Sequence, residues 1–472
     1  VEFLAKQPWC DGKVAMWGGS YGGYNQWATA KEFPSALKTI VPAAAAFPGV
    51  DFPSEKNIPY AYSMQWLTFA SGATSNERLF RDDAFWIAKF TDRFRTHRPF
   101  RELDAIVGNT TTLWRTWMEH PTPDAFWDAH NPTEEQFTRI DLPILTITGQ
   151  YDADQPGALE FYRQHMRHGS AEARSKHYLL IGPWNHAGTR TPQTEFQGLK
   201  VGQASKLDMN ALHKAWYDWT LKNRPRPELL KQRVAFYVTG SEVWKYAESL
   251  EGITTDKLVF RLDSVGGRAN DVFQSGLLSM STPSGTTPDR YTYDPLDLRP
   301  AELERVPVAD DIVYQRDAFN LFGNGLIYHS EPFAEAVTVA GVPTFTAWIA
   351  LDVPDTDFRV TLYEIRDDGS SILLSQDRLR ARYRHSPRQE ELVRPGEIHR
   401  YVFSGFYFFA RQIAQGSRLR LVLRCPSSIY WEKNYNSGLR VADETSKDAR
   451  TARVALYHDA EHPSMLELPL LK

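Results

Sequence analysis

The chain has 472 residues, 42% of them hydrophobic and 24% charged, and a formal net charge of −4, so it is long enough for two or three domains with sizeable cores. The small, unclustered charge excludes a basic nucleic-acid surface, and no apolar run approaches the roughly 20 residues that span a bilayer. Cys10 and Cys425 are too far apart in sequence to suggest a disulfide framework or a metal spacing.

Taken in chain order, residues 13–17 read as a strand and residues 24–32 as a helix, with Gly18-Gly19-Ser20-Tyr21-Gly22 between them. A Gly-x-Ser-x-Gly run is a weak pattern alone, and its bland reading is a glycine-rich turn. Strand before and helix after make it a candidate nucleophile elbow. The flanking glycines are expected where a Cβ would clash, and the Tyr21 N–H is expected to face a developing oxyanion. A strand over 37–41 completes a βαβ unit with both faces apolar. Residues 56–135 change character, with Trp-, Phe- and Arg-rich helical patterns over 61–70, 83–93 and 111–119, and read as a helical cap. The α/β pattern resumes with a strand over 142–149, a helix over 157–167, a strand over 177–182 and a helix over 207–221. Asn223-Arg224-Pro225-Arg226-Pro227 reads as a linker. Beyond it, short strands such as 234–238, 345–350, 358–363 and 419–423, punctuated by Gly-, Pro- and Asp-rich turns, suggest a two-sheet jelly roll.

A serine hydroxyl needs a histidine base, and the base needs a carboxylate to orient it. In α/β-hydrolases these follow the serine in the order acid, then histidine. Asp152 emerges at the end of the 142–149 strand, and His186 lies on the loop after the next strand, both at the sheet edge where sites gather. Asp154 competes with Asp152 for the acid role, and a loop histidine is often mere surface. His165, His168 and His177 read as ordinary polar positions. No His, Asp or Glu cluster has metal spacing, no phosphate loop appears, and no cofactor is implied.

Gly-Gly-Ser-Tyr-Gly-Gly after Cys10-Asp11-Gly12-Lys13-Val14, then Tyr151-Asp152, then Gly182-Pro183-Trp184-Asn185-His186 resemble the cocaine-esterase and X-Pro dipeptidyl-peptidase family, which includes the α-amino-acid ester hydrolases. The segments 357–363, 379–384, 434–438 and 462–464 resemble that family's C-terminal jelly roll. The resemblance implies an α/β-hydrolase domain over 1–55 and 136–226, a cap over 56–135 and a jelly roll over 227–472. It implies one oxyanion donor in the Tyr21 N–H and a second in a tyrosine hydroxyl upstream of the elbow. Only about a dozen residues precede the elbow strand, so the chain reads as the C-terminal part of a longer, N-terminally truncated hydrolase. On that reading the second donor and any targeting segment lie upstream of Val1, the compartment stays open, and loss of the donor raises the barrier by roughly 2.7–4 kcal/mol. Family likeness also places amine-binding carboxylates at Asp51 and Asp154, with Gln155 where a third is expected. The bland alternatives are that Asp51 starts the cap and Asp154 caps the next helix.

The reading reached is a serine hydrolase of esters or amides, with small-molecule or short-peptide substrates and self-association left open. An X-Pro dipeptidyl-peptidase is the alternative within that class. A jelly-roll binding module on an inactive scaffold is the alternative outside it.

Overall fold

The computed structural model describes residues 1–70, 76–283, 285–303, 312–313, 319–320 and 322–472. Its first layer is a six-stranded sheet in the order β1 (Val14–Gly19), β2 (Leu37–Ala43), β3 (Ile144–Tyr151), β4 (His177–Asn185), β5 (Val234–Val238) and β6 (Val243–Ala247). All neighbours are parallel except the last pair. Strands β2 to β5 are apolar and buried almost throughout, as parallel strands covered on both faces must be. Strand β1 pairs with β2 alone among the described residues and forms the sheet edge, where Trp17 is 59% exposed.

Helix α1 (Tyr21–Ala30) lies close against β2, because Gly23 has no side chain. A Cβ there would come within 2.8 Å of the Ala43 carbonyl oxygen. Trp27 of α1 stacks on Phe161, ring centroids 4.9 Å apart, and so joins α1 to the helix that follows β3. On another helix, Met209–Lys222, Trp216 Nε1 donates to Thr39 Oγ1 of β2 at 2.9 Å.

The cap is helical, as expected. Its longer helices are α2 (Tyr62–Ala70), α3 (Asp83–Thr96) and α4 (Thr112–Glu119). Asp82 caps α3 by accepting from Phe85 N–H, and His97 ends it in a left-handed conformation. Trp86, Phe90, Phe94, Trp114 and Trp117 form the cap's apolar core, which also takes in Ile429 and Ala442 from the C-terminal region. No helix among the described residues is long and apolar enough to cross a membrane.

Among the described residues the C-terminal region forms a thirteen-stranded, mostly antiparallel hydrogen-bonded network, ten strands along one path and three pairing off it. It closes around an apolar core fed by Phe260, Leu326, Phe345, Leu362, Tyr401, Leu421 and Leu456. The sequence reading is corrected at its start. Residues 234–238 belong to the first sheet, where Leu180 of β4 lies beside Ala235 and β6 pairs with β5. The large sheet begins with β7 (Asp256–Asp263), beyond the 227 boundary expected from sequence. A strand buried on every residue reads alike in either setting, and the Pro-rich segment before it mimicked a domain linker.

Alternate arginines at the end of strand β8 (Ser371–Arg380) tie the cap to this sheet. Arg378 Nη1 reaches Glu55 Oε2 at 2.8 Å. Arg380 pairs with Asp357 at 2.8 Å and Glu432 at 2.7 Å, and also donates to the Asn57 carbonyl. Arg382 meets Asp355 at 2.8 Å. All of these side chains are buried. Removing one partner of a buried pair strands the other charge, so Arg380→Met is expected to cost about 3–5 kcal/mol of stability. Urea denaturation followed by tryptophan fluorescence measures this, and an unchanged midpoint would show that the pairing carries no stability.

Candidate active site

Strand β1 ends at Gly19, and Ser20 follows at φ 61°, ψ −126°. That conformation is costly for a residue with a side chain, on the order of 1–3 kcal/mol. Backbone bonds hold it in place: Ser20 N–H donates to Ala43 O at 2.9 Å, and Ser20 O accepts from Gly23 N–H at 2.8 Å. As the first helical residue of α1, Tyr21 presents an N–H with no intrahelical acceptor. The glycine expectation holds at one flank only. A Cβ on Gly18 would lie 3.1 Å from Gly22 O, whereas one on Gly22 would meet nothing; Gly23 is the crowded position on the helix side.

Strands β3 and β4 run side by side with Tyr151 opposite Asn185, so the loops that follow them leave the same sheet edge. This brings His186 Nδ1 to 2.8 Å from Asp152 Oδ1. Asp152 is fully buried, and its oxygens also accept from Asp154 N–H at 3.1 Å and Thr148 Oγ1 at 3.1 Å. Asp154 stands farther away, its Oδ2 3.8 Å from His186 Nδ1, which leaves Asp152 as the carboxylate in hydrogen-bond reach. Burial pulls the His186 pKa down, but the Asp152 bond and charge outweigh it and hold the ring above its usual value. With Nδ1 engaged, Nε2 is the ring nitrogen left for other chemistry. Ser20 and His186 line one cavity of about 820 Å³, without a hydrogen bond between their side chains among the described residues.

The sheet loops, the cap and the C-terminal sheet wall that cavity together. Tyr21, Phe52, Tyr60, Trp66, Trp117 and Trp431 give it aromatic sides, and both Asp51 and Asp154 reach it. Asp51 is buried, Oδ1 accepting from Phe47 N–H at 2.7 Å and Oδ2 from Gly157 N–H at 2.6 Å. Burial first, then the charge of Asp154, lifts its carboxyl well above the usual range despite those bonds. Asp154 occupies the N-cap position of helix α5 (Gln155–His168), yet its side chain makes no capping bond. Its carboxyl is raised to about 7, chiefly by burial and then by Asp152, with His186 and Arg190 pulling the other way.

Gln155 does not enter this charge cluster. Its Nε2 donates to Gly149 O at 2.9 Å and Phe408 O at 3.0 Å, and its Oε1 accepts from Phe408 N–H at 2.6 Å. Gln150 makes a matching bridge, donating to Tyr237 O at 2.6 Å and accepting from Ala410 N–H at 3.0 Å. Only an amide both donates and accepts in this way.

Sequence reasoning missed Glu55 and Arg378, an ion pair in the cavity wall whose guanidinium lies 3.7 Å from the Trp431 ring centroid. The alternation of arginines was the available signal. His165 and His177 are also not ordinary polar positions. Both are buried, their Nδ1 atoms 2.9 Å apart, with His177 Nε2 meeting Thr146 Oγ1 at 2.8 Å and His165 Nε2 meeting Ile140 O at 3.0 Å. A second grouping, Ser264, His458 and Asp289, has the residue types of a relay but not its geometry. Serine and aspartate both approach the same nitrogen, Nε2, at 3.3 Å.

A parallel sheet with an elbow serine, a helical insertion over its strand ends and a large C-terminal β region defines an α/β-hydrolase with an appended β-rich domain. Residues 1–188 match the family model described as X-Pro dipeptidyl-peptidase (S15 family), and residues 219–467 match that of the X-Pro dipeptidyl-peptidase C-terminal non-catalytic domain. The chain belongs to the cocaine-esterase and X-Pro dipeptidyl-peptidase family of hydrolases. It is 25% identical to the cocaine esterase of Rhodococcus sp. (strain MB1 Bresler), over all of this chain and 83% of that one. Among solved structures it is similar to an aminopeptidase from a marine sediment archaeon, Thaumarchaeota archaeon, with a TM-score of 0.84 and 20% identity, over 100% of this chain and 78% of that one. An α-amino-acid ester hydrolase is similar at a TM-score of 0.82 and 18% identity, over 99% and 78%.

Gln155→Glu would restore a carboxylate at the third position, but it would remove the donor that Gly149 O and Phe408 O share. The expected outcome is a loss of about 1–3 kcal/mol in stability with no gain in affinity for amines. Thermal unfolding together with inhibition by simple alkylamines tests this. A stable variant with tighter amine binding would contradict it.

Proposed function

We propose that this chain is a serine hydrolase that cleaves carboxylic ester or amide bonds through an acyl-enzyme on Ser20, with a preference for acyl groups that carry a free α-amino group. The observation that carries the reading is the 2.8 Å Asp152–His186 bond beside a cavity that opens onto the elbow serine. His186 Nε2 takes the proton from Ser20 Oγ as the oxygen attacks the substrate carbonyl. Asp152 holds the tautomer that makes this possible and stabilises the imidazolium that forms. The Tyr21 N–H receives the oxyanion. The tetrahedral intermediate then collapses, the bond to the leaving group breaks, and His186 returns the proton to the departing oxygen or nitrogen. Water, deprotonated by the same histidine, releases the acid and restores Ser20.

The amine preference rests on Asp51 and Asp154. Two carboxylates in an aromatic-walled cavity favour an ammonium through charge-assisted hydrogen bonds. Asp154 has the freer oxygens, and its raised carboxyl, relieved by a bound cation, would ionise fully on binding. Two of the similar solved structures are named as an aminopeptidase and an α-amino-acid ester hydrolase, but that likeness is one of fold; the support in this chain is the pair of carboxylates.

The described residues provide one identified oxyanion donor, and a single donor leaves turnover slower than two by on the order of 10²–10³-fold. Covalent labelling is therefore the sensitive first test. A fluorophosphonate should label the chain at Ser20, Ser20→Ala should abolish the label, and Asp152→Asn should lower turnover by on the order of 10⁴-fold. Absence of labelling would favour the binding-module alternative. An aminoacyl ester should outpace the matching des-amino ester and an X-Pro anilide; equal rates on the two esters would remove the amine site.

Acidity separates the two carboxylate roles. His186 must be neutral to act as base, so kcat/KM falls for every substrate as pH drops through its raised pKa. Asp154, raised to about 7, must be ionised to attract an ammonium, so an aminoacyl ester loses a second factor as pH falls through about 7. The acid limb is expected to be steeper for the aminoacyl ester than for the des-amino ester, and Asp154→Asn should make the limbs parallel. Parallel limbs in the parent chain would take Asp154 out of substrate binding.

A further inference from the structure

Arg190 follows the short helical turn Ala187–Thr189 that begins directly after His186. Its side chain folds back onto the elbow and lies flat on Gly19, where a Cβ would overlap Nη1. Consecutive Cα atoms are about 3.8 Å apart, so this guanidinium sits within one residue of the nucleophile. Its Nη1 is buried with no hydrogen-bond partner, and the side chain makes no ion pair among the described residues. Arg378, which lines the cavity, is by contrast paired with Glu55. Arg190 does not line the aromatic cavity. It stands beside the serine and histidine, outside the space that would hold the acyl group.

We infer that Arg190 is a specificity-determining residue that binds a carboxylate on the leaving group, so that the preferred substrates are aminoacyl derivatives of amino acids with a free C-terminal carboxylate. This deepens the acyl-enzyme reading and rests on it. With the acyl part and its ammonium held by the cavity and by Asp154, the scissile bond projects the leaving group toward His186, which must protonate it. In an aminoacyl amino acid the leaving nitrogen is two bonds from its carboxylate carbon, which brings the anion within reach of a guanidinium at Gly19. Arginine offers a planar fork that matches a carboxylate. The charges then lie in order along the site: carboxylates for the substrate ammonium, the serine and histidine at the scissile bond, and a cation for the substrate carboxylate. The influence of Arg190 reaches this axis from its own end, since its charge opposes the rise of the Asp154 carboxyl and of the Tyr62 hydroxyl. In the reaction the Ser20 Oγ–carbon bond forms and the carbon–nitrogen bond breaks. The serine proton passes through His186 to the leaving nitrogen, and water then releases the first amino acid.

Binding can be read without turnover in the Ser20→Ala chain by calorimetry, with phenylalanyl-alanine and phenylalanyl-alaninamide as probes. The acid is expected to bind at least about tenfold more tightly than the amide, a difference that one charge-assisted hydrogen bond supplies. Adding Arg190→Gln should abolish the difference by weakening the acid alone, and Arg190→Lys should restore part of it. Equal affinities in the Ser20→Ala chain, an equal loss for both probes on Arg190→Gln, or no binding of either probe would each overturn the inference. Failure of the hydrolase reading is distinguished by the parent chain, which would then take no fluorophosphonate label whatever the calorimetry reads.

Discussion

The shape of the cavity depends on charge buried at Arg378, Arg380 and Arg382. A guanidinium in such a place is tolerable only when every neighbour that neutralises it is present at once. Those neighbours come from separate stretches of chain: Glu55 before the cap helices, Asp355 and Asp357 at the start of a strand, and Glu432 in a late loop. Cap and C-terminal sheet therefore cannot take up independent positions. The aromatic walls built on them, Phe52 and Tyr60 from one side and Trp431 from the other, inherit that fixed relation.

Within this frame the site is electrostatically lopsided. Asp51, Asp152 and Asp154 crowd the end of β3 and the start of α5, and burial together with the neighbouring carboxylates raises the carboxyls of Asp51 and Asp154. Asp152 is the one of the three that bonds to His186, and it also accepts from Thr148 and a backbone N–H. Three like residues within a short compass thus acquire different properties from their surroundings alone, an arrangement typical of functional sites.

Much of this was legible in the sequence because it follows from local pattern. An elbow needs glycines between a strand and a helix, and both strands that follow it read as doubly buried runs. Asp152 and His186 could be found because each comes directly after such a strand. What could not be read depends on partners distant in sequence. Val234–Val238 has the same residue pattern whether it closes a parallel sheet or opens a sandwich, and only its pairing with β4 decides. Gln155 looked like a lost charge because its use, bridging Gly149 and Phe408, involves a residue more than 250 positions away. His165 and His177 read as ordinary polar positions for the same reason: each satisfies the other, in an interior that neither announces.

The amides of Gln150 and Gln155 have an implication for descent. They flank Asp152 in sequence, and both are spent on the backbone of residues 408–410 in the C-terminal sheet. The domain that carries none of Ser20, Asp152 and His186 thus holds both ends of the loop that carries Asp152. Such a domain is not a passenger that recombination could exchange freely between relatives. A foreign C-terminal sheet would have to present the same backbone segment at the same spacing, or the acid loop would lose its moorings. The backbone of residues 408–410 and the two glutamines therefore constrain one another across the domain boundary.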